Sequence, residues 1–150
     1  MPESVSTPSA VVHEALRLLL AKDMAGFAGL WAEQGSIEFP FAPPGYPTEV
    51  IGRAAIADYL RGYPEMADIQ SIDPPTVHVT ADPDIVVVEF SVDGVAVRTG
   101  RPYRLRYIAV ITVRAGEIAH YRDYWSPLAA AEALGGAEGL ADFGASVVRG

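Results

Sequence analysis

The sequence predicts an α+β fold in which a curved, mostly antiparallel sheet packs against three helices. Amphipathic helical patterns lie in the first part of the chain, whereas period-two alternation of apolar and polar residues dominates the second part. Short turn signals between alternating runs, such as Ala115-Gly116, are typical of antiparallel hairpins. Helices followed by a run of hairpin strands favour this arrangement over an alternating α/β fold.

The N-terminal part is expected to form the three helices. A first helix begins at Pro8 and carries one apolar stripe. Asp23 is a good N-cap for a second helix over residues 24–34, which Gly35 would end in a left-handed conformation. A third helix is expected over residues 54–60, before a break that contains glycine and proline.

Strands and turns account for most of the remaining chain. The expected strands cover residues 36–41, 77–80, 85–92, 95–98, 104–114 and 117–125. Asp93-Gly94 between two apolar runs predicts a hairpin turn, because this dipeptide tolerates the positive φ that such turns need. A short alanine-rich helix over residues 128–134 ends the expected domain.

The last predicted strand combines a carboxylate with aromatic rings. Alternation divides its side chains between two faces, with Ala119, Tyr121, Asp123 and Trp125 on one and Ile118, His120, Arg122 and Tyr124 on the other. If the first face is the inner one, apolar surroundings raise the pKa of Asp123 and make it a candidate proton shuttle. The alternative is an ion pair of Asp123 with Arg122 or with an arginine of the neighbouring strand. Arg122 points to the opposite face, which favours the catalytic interpretation.

The same alternation predicts that the inner face of the sheet lines one cavity. The side chains expected there are Val86, Val88, Phe90, Tyr107, Ala109, Ile111, Tyr121, Asp123 and Trp125. Loop 41–47 carries rings that an exposed connection does not need, so it is expected to form a further wall; the alternative is that these rings plug the end of the core. The candidate ligand-binding residues are Trp31, Phe39, Phe41, Tyr46, Phe90, Tyr107, Tyr121 and Trp125. For Tyr107 and Tyr121, a place in the aromatic core is the alternative to a hydrogen bond with a ligand carbonyl.

Glu38 is a possible second acid. Alternation predicts an outward, solvated side chain, but a slip or bulge of one residue would turn it toward the cavity. His13, His78 and His120 are too scattered along the sequence to predict a metal site. Neither a metal nor a cofactor is expected.

The outer face of the predicted sheet is also apolar. Its expected members are Ile85, Val87, Ile108, Val110 and Ile118. A surface of this kind is too apolar to stay in contact with water, which predicts a homodimer through it.

Length and charge restrict the class of protein. The 150 residues are expected to form one domain over residues 8–134, with a loose leader over residues 1–7 and a tail over residues 135–150. A net charge of −8 argues against a nucleic-acid partner, since phosphate contacts need a basic surface. No apolar run reaches the ~20 residues of a membrane helix and no signal peptide is recognised, so no membrane partner and a cytoplasmic location are expected.

Several segments resemble the SnoaL-like branch of the nuclear transport factor 2-like superfamily. They are Thr99-Gly100-Arg101-Pro102-Tyr103, Arg122-Asp123-Tyr124-Trp125, Pro127-Leu128, Ile37-Glu38-Phe39-Pro40 and Gly52-Arg53. The resemblance covers about residues 10–134 and implies a cone-shaped, bent sheet closed by three helices, with an apolar cavity at one end. Members of this superfamily include polyketide cyclases, limonene epoxide hydrolases, phenazine-biosynthesis A/B proteins, ketosteroid isomerases and non-catalytic binders.

The functional residues of these relatives are only partly present. The three groups that ketosteroid isomerases use correspond to Ala15, Phe39 and Ala109, so their route of steroid isomerisation is not implied. The Asp-Arg-Asp network of limonene epoxide hydrolases keeps only its last aspartate, which corresponds to Asp123. Phenazine A/B proteins place an acid/base glutamate at this same position.

The cavity and the resemblance together imply a small-molecule enzyme. Asp123 is the expected lone acid/base for isomerisation, cyclisation or ring opening of an apolar, ring-containing compound of polyketide-, terpenoid- or steroid-like character. Two alternatives remain open. One is a non-catalytic carrier of a hydrophobic ligand, and the other is an epoxide hydrolase in which Glu38 or a tyrosine replaces the missing Asp-Arg pair.

Overall fold

The structure, a computed structural model, describes residues 6–133 and residue 136. Its helices are α1 (Pro8–Leu20), α2 (Met24–Ala28), α3 (Arg53–Leu60), α4 (Tyr63–Met66) and α5 (Pro127–Ala133). Its strands are β1 (Trp31–Glu38), β2 (Glu49–Ile51), β3 (Ala67–Ile72), β4 (Thr76–Val79), β5 (Ile85–Ala96), β6 (Pro102–Arg114) and β7 (Glu117–Trp125). Apart from residues 6, 7 and 136, the expected leader and tail lie outside the described residues. Within the described ranges, no helix combines the length and the apolar character needed to cross a membrane.

The strands form one curled sheet in the order β2-β1-β7-β6-β5-β3, with β4 also paired to β5. Every pairing is antiparallel except that of β1 with β7. Ala115 and Gly116 join β6 to β7 with positive φ angles of 52° and 77°, which is the geometry of a two-residue hairpin turn. The predicted α+β class and curved, mostly antiparallel sheet are confirmed.

One core joins the helices to the inner face of the sheet. Val12 of α1, Phe27 of α2 and Ile56 of α3 are buried together with Val88 and Ile111 of the sheet. Because side chains alternate along β5 and β6, the apolar residues of one face reach this core. Most of the charged residues of these strands are exposed on the other face, which also carries apolar residues such as Ile108.

The second helix is shorter than predicted. It ends at Ala28, and most of the residues expected to continue it form β1, which pairs in parallel with β7. Gly35 does not end a helix but lies inside β1, where a Cβ atom would come within 2.7 Å of the carbonyl oxygen of Ile118. The predicted strand over residues 36–41 accordingly begins earlier and stops at Glu38. Long-range pairing overrides the local helical pattern here, since a short sequence window does not contain the partner strand.

The dipeptide Asp93-Gly94 does not form a turn. Both residues lie inside β5, where Gly94 pairs with Tyr103, and the chain reverses instead over residues 97–101. A Cβ atom at Gly94 would lie 2.5 Å from the carbonyl oxygen of Asp68 and 2.8 Å from the hydroxyl oxygen of Tyr103. The close approach of neighbouring groups, rather than a turn, therefore requires glycine at this position.

A bulge in β7 changes the predicted faces at the start of this strand. Thr112 pairs with His120 and Val113 with Ile118, so Ala119 is left without a partner of its own. Ile118 consequently points into the core and is fully buried, although the alternation predicts it on the outer face. Beyond the bulge the predicted alternation of β7 holds.

Candidate functional site

An apolar cavity of about 140 Å³ lies between the helices and the inner face of the sheet. Side chains from all five helices and from β1, β3, β5, β6 and β7 line it. Among the described lining residues, Asp123 is the only carboxyl, and no lysine, arginine or histidine reaches the wall. Apart from Asp123 and a set of tyrosines, the lining is apolar. The cavity thus offers a hydrophobic ligand one acid and several phenols.

Asp123 lies in β7, opposite Ala109 of β6. It shares the inner face with Tyr121 and Trp125, as the alternation predicts. Burial raises the pKa of the Asp123 carboxyl to about 7. Its Oδ1 atom is shielded from solvent and has no hydrogen-bond partner among the described residues. Near neutral pH the group is present in both protonation states, so it can either donate or accept a proton.

Six of the seven tyrosines of the chain line this cavity, namely Tyr46, Tyr59, Tyr63, Tyr103, Tyr107 and Tyr121. Burial raises the pKa of every one of these phenols above its ordinary value. Tyr63 and Tyr107 are hydrogen-bonded to each other. The phenols therefore remain protonated at neutral pH, and a protonated phenol can donate a hydrogen bond to an oxygen atom.

Three of these tyrosines were not among the predicted site residues. Tyr59 could have been found, because on α3 it follows the buried Ile56 by three positions and falls on the same helix face. Tyr63 lies in α4, which no pattern in the sequence indicated. Tyr103 lies on the part of β6 that precedes the predicted strand.

Six of the eight predicted binding residues line the cavity, and these are Phe39, Tyr46, Phe90, Tyr107, Tyr121 and Trp125. Phe90 and Tyr107 stack with their ring centroids 5.1 Å apart and an interplanar angle of 12°. Tyr46 packs against Trp125 with centroids 5.5 Å apart. Ring contacts of this kind fix the shape of the wall. The role of these residues in ligand binding stays a prediction.

Trp31 and Phe41 do not line the cavity, so their predicted positions are wrong. Trp31 is fully buried behind the wall, where its ring contacts Phe27 and Tyr121. It lies there because it begins β1 instead of continuing a helix. Phe41 lies in the turn after β1, is 59% exposed, and packs edge-on against Tyr124 on the outer face.

Glu38 faces outward and belongs to a polar cluster on the outer side of the sheet. Its Oε1 atom lies 3.2 Å from His120 Nε2 and 3.3 Å from Arg122 Nε. The ligand atoms of Glu38, Glu49 and His120 lie within 4.8 Å of one another, a grouping that cross-strand pairing creates and that spacing along the sequence does not predict. Since Arg122 already supplies positive charge beside Glu38, we assign this cluster to ion pairing rather than to a metal. Glu38 is therefore not available as a second acid in the cavity.

The fold and the site define the class of protein to which this chain belongs. A family model described as the SnoaL-like domain matches residues 12–121, and the chain belongs to this family. The resemblance drawn from the sequence is thereby confirmed.

Two proteins of known sequence are similar over most of the chain. The uncharacterized protein YesE of Bacillus subtilis is 47% identical over 125 residues, which cover 83% of this chain and 85% of YesE. An uncharacterized PhzA/B-like protein of Pseudomonas aeruginosa is 43% identical over 131 residues, which cover 87% of this chain and 92% of that protein. Neither name specifies a reaction.

Two solved structures share the fold of this chain. The crystal structure of a Bacillus subtilis protein provisionally called an isomerase superposes with a TM-score of 0.82 at 44% identity, covering 85% of this chain and 91% of that one. A Pseudomonas putida protein provisionally called a polyketide cyclase superposes with a TM-score of 0.74 at 20% identity, covering 85% of this chain and 98% of that one. At the lower identity, the likeness shows a shared fold and nothing more.

Proposed function

We propose that this protein binds an apolar, ring-containing small molecule in its cavity and that Asp123 is the acid/base for an isomerisation, cyclisation or ring-opening step. One observation carries the proposal. A single carboxyl, with its pKa raised to about 7, lies in the wall of a cavity that is otherwise apolar and phenolic. A group of this kind in a cleft is a candidate catalytic residue on physical grounds.

The size and chemistry of the cavity support a ring-containing ligand. Its volume of about 140 Å³ is close to the ~150 Å³ of an engineered protein cavity that binds benzene, so at least one ring can enter. Removal of hydrocarbon surface from water provides roughly 25 cal/mol per Å² of binding free energy before the costs of association. The phenols around the wall offer hydrogen bonds to oxygen atoms of the ligand.

An isomerisation illustrates the chemistry that one carboxyl can perform. The ionised Asp123 takes a proton from the α carbon of a β,γ-unsaturated ketone, and a dienolate remains. The protonated carboxyl then returns the proton to the γ carbon of the dienolate, and the α,β-unsaturated isomer leaves with no atom gained or lost. A single well-placed acid/base accelerates such transfers roughly 10²- to 10⁴-fold.

A non-catalytic carrier is the second candidate. The surroundings of the Asp123 Oδ1 atom favour it, because in the described part of the chain this atom has no hydrogen-bond partner. No neighbouring group of that part therefore orients this atom or helps it to position a water molecule.

The epoxide-hydrolase alternative had two versions, in which either Glu38 or a tyrosine assists Asp123. The version with Glu38 is excluded, because Glu38 is paired with His120 and Arg122 on the outer face. Only a tyrosine is left to assist Asp123 in ring opening.

Deuterium exchange of cyclohexanone tests the acid/base role before the natural substrate is known. In D₂O the wild-type protein is expected to accelerate the loss of the α-hydrogen NMR signal. Asp123→Asn preserves the shape of the side chain but cannot take up the proton, so it is expected to reduce the acceleration about 100-fold or more. The affinity for cyclohexanone should stay nearly unchanged.

Asp84→Asn is the matched control, because Asp84 lies outside the cavity wall and is half-exposed beside Arg114 at 3.8 Å. This variant should exchange cyclohexanone like the wild type. Exchange that persists in Asp123→Asn would contradict the role of Asp123. Binding without exchange in both wild type and variant would favour the carrier.

A further inference from the structure

Two side-chain polar atoms of the described residues are buried without a hydrogen-bond partner, Asp123 Oδ1 and the hydroxyl oxygen of Tyr103. Both residues line the same cavity. Buried polar groups in folded proteins are nearly always hydrogen-bonded, and one that lacks a partner destabilises the fold. The proposed acid/base role accounts for Asp123, whereas nothing in that role accounts for the hydroxyl of Tyr103.

Tyr103 and Asp123 contribute to the cavity wall from neighbouring strands. Asp123 pairs with Ala109 of β6, and Tyr103 lies six positions before Ala109 on this strand. Tyr107 lies between these two positions on β6, and its phenol interacts electrostatically with both Asp123 and Tyr103. A ligand that meets both polar groups must therefore carry two polar functions, one on each side of Tyr107.

The surroundings of Tyr103 do not explain its hydroxyl. Tyr103 packs against a small apolar cluster of Ala96, Leu105 and Ala130. Tyr63 and Asp68 interact with its phenol electrostatically, but neither of them is a hydrogen-bond partner of the hydroxyl. Opposite the ring, Gly94 leaves room for the hydroxyl, since a Cβ atom at that position would lie 2.8 Å from it. A phenylalanine would fill the same space without burying a polar atom, so packing alone does not account for tyrosine here.

We propose that the Tyr103 hydroxyl binds a second polar group of the ligand, on the side of Tyr107 away from Asp123. This inference rests on the proposed function and narrows the ligand to a ring-containing compound with an apolar middle and an oxygen function at each end. Tyr103 is then a specificity-determining residue that takes no part in proton transfer. Burial raises the pKa of its phenol, which keeps the hydroxyl protonated and able to donate to a ligand oxygen.

A pair of ketones tests this proposal. The compounds 4-phenylbutan-2-one and 4-(4-hydroxyphenyl)butan-2-one differ by one terminal hydroxyl, so their difference in affinity isolates the contact at that end. By calorimetry the wild type is expected to bind the hydroxylated ketone about tenfold more tightly. Tyr103→Phe should lose this preference and keep its affinity for 4-phenylbutan-2-one. Tyr124→Phe, the same change on the outer face of the hairpin, should keep the preference.

The stability of the free protein provides a second measurement that needs no ligand. If the hydroxyl has no partner within the fold, Tyr103→Phe should leave the melting temperature unchanged or raise it, because an unsatisfied buried group has been removed. A clear fall in melting temperature would mean that the fold or an internal water already satisfies the hydroxyl, and this would overturn the proposal. A preference that survives in Tyr103→Phe would overturn it as well.

The two proposals for the cavity can fail separately. If neither elongated ketone binds while cyclohexanone still binds and exchanges in an Asp123-dependent manner, the two-ended ligand is wrong and the proposed function stands. If the preference depends on Tyr103 but no ketone undergoes exchange, the recognition by Tyr103 stands and the acid/base role of Asp123 is wrong.

Discussion

Asp123 owes its raised pKa to the absence of water and of positive charge around it. The described residues of the cavity wall are apolar or phenolic, and none of them carries a basic group. A carboxylate in such surroundings loses its hydration and gains no counter-charge, so the protonated form is favoured and the pKa rises to about 7. The same desolvation that makes the carboxyl suitable for proton transfer destabilises the folded state when the carboxyl is ionised.

The raised pKa of Asp123 predicts how stability depends on pH. The folded state holds this proton up to about pH 7, whereas the unfolded chain releases it near its ordinary pKa of 3.8. Between these values the folded state binds more protons, so the free energy of unfolding falls as the pH rises from about 4 to about 7 and then levels off. The fall due to Asp123 amounts to at most roughly 4 kcal/mol. The Asp123→Asn variant should lack this fall in the free energy of unfolding. Its stability relative to the wild type should therefore increase as the pH rises toward ~8.

Thermal unfolding of both proteins across this pH window measures the difference. Asp84→Asn controls for the loss of one surface carboxylate and should follow the wild type. Curves for wild type and Asp123→Asn that run parallel from about pH 4 to about pH 8 would show that the pKa of Asp123 is not raised.

The position of Asp123 could be predicted from the sequence because it depends on alternation within one strand beyond the bulge. The side-chain directions of Trp31 and Phe41 could not be predicted, because they depend on where β1 begins and ends. The first and last residues of β1 are set by its pairing with β7, which is distant in sequence. The hydroxyl of Tyr103 was missed for a similar reason, since its burial depends on a glycine of the neighbouring strand.

The hairpin of β6 and β7 was the most predictable element of the fold. Its two strands are joined by the two residues Ala115 and Gly116, and a turn of that length sets the register of both strands up to the bulge in β7. The parallel pair of β1 with β7 is the opposite case, because it brings together residues such as Ser36 and His120, which are 84 positions apart. Local patterns therefore indicated the strand that carries Asp123, but they predicted a helix over much of β1, its parallel neighbour.

Gly94 provides a test of the packing near the C-terminal end of the long β5 strand. Gly94→Ala is expected to lower the free energy of unfolding by about 1 to 3 kcal/mol, since the new methyl group would lie 2.5 Å from a backbone carbonyl of β3. Urea unfolding measures this loss. Gly62→Ala is the matched control, because no atom lies within 4 Å of a Cβ there and its φ of −88° suits alanine. Equal stability of the two variants would mean that β3 and β5 are not this closely packed.

At the scale of the whole molecule, the curl of the sheet lets the fold enclose a cavity and still present a broad outer face. Ile108 and Phe41 are 44% and 59% exposed, and both line a shallow groove on that face together with the 84% exposed Leu128. Ile118, which was expected to add to this surface, is fully buried instead because of the bulge in β7. The exposed apolar side chains that remain form a patch beside charged side chains such as Glu89, Arg104 and Arg106, which line the same groove.

We propose that two copies of the chain associate through this outer face. A two-fold contact buries the same patch on both copies and removes its apolar side chains from water. The wild type is expected to sediment as a dimer at micromolar concentration, and Ile108→Glu should sediment as a monomer because association would then bury two unpaired carboxylates. Val79→Glu is the matched control, since Val79 is 82% exposed but lies outside the groove, and this variant should remain dimeric. A monomeric wild type, or an Ile108→Glu variant that still dimerises, would exclude this face as the contact.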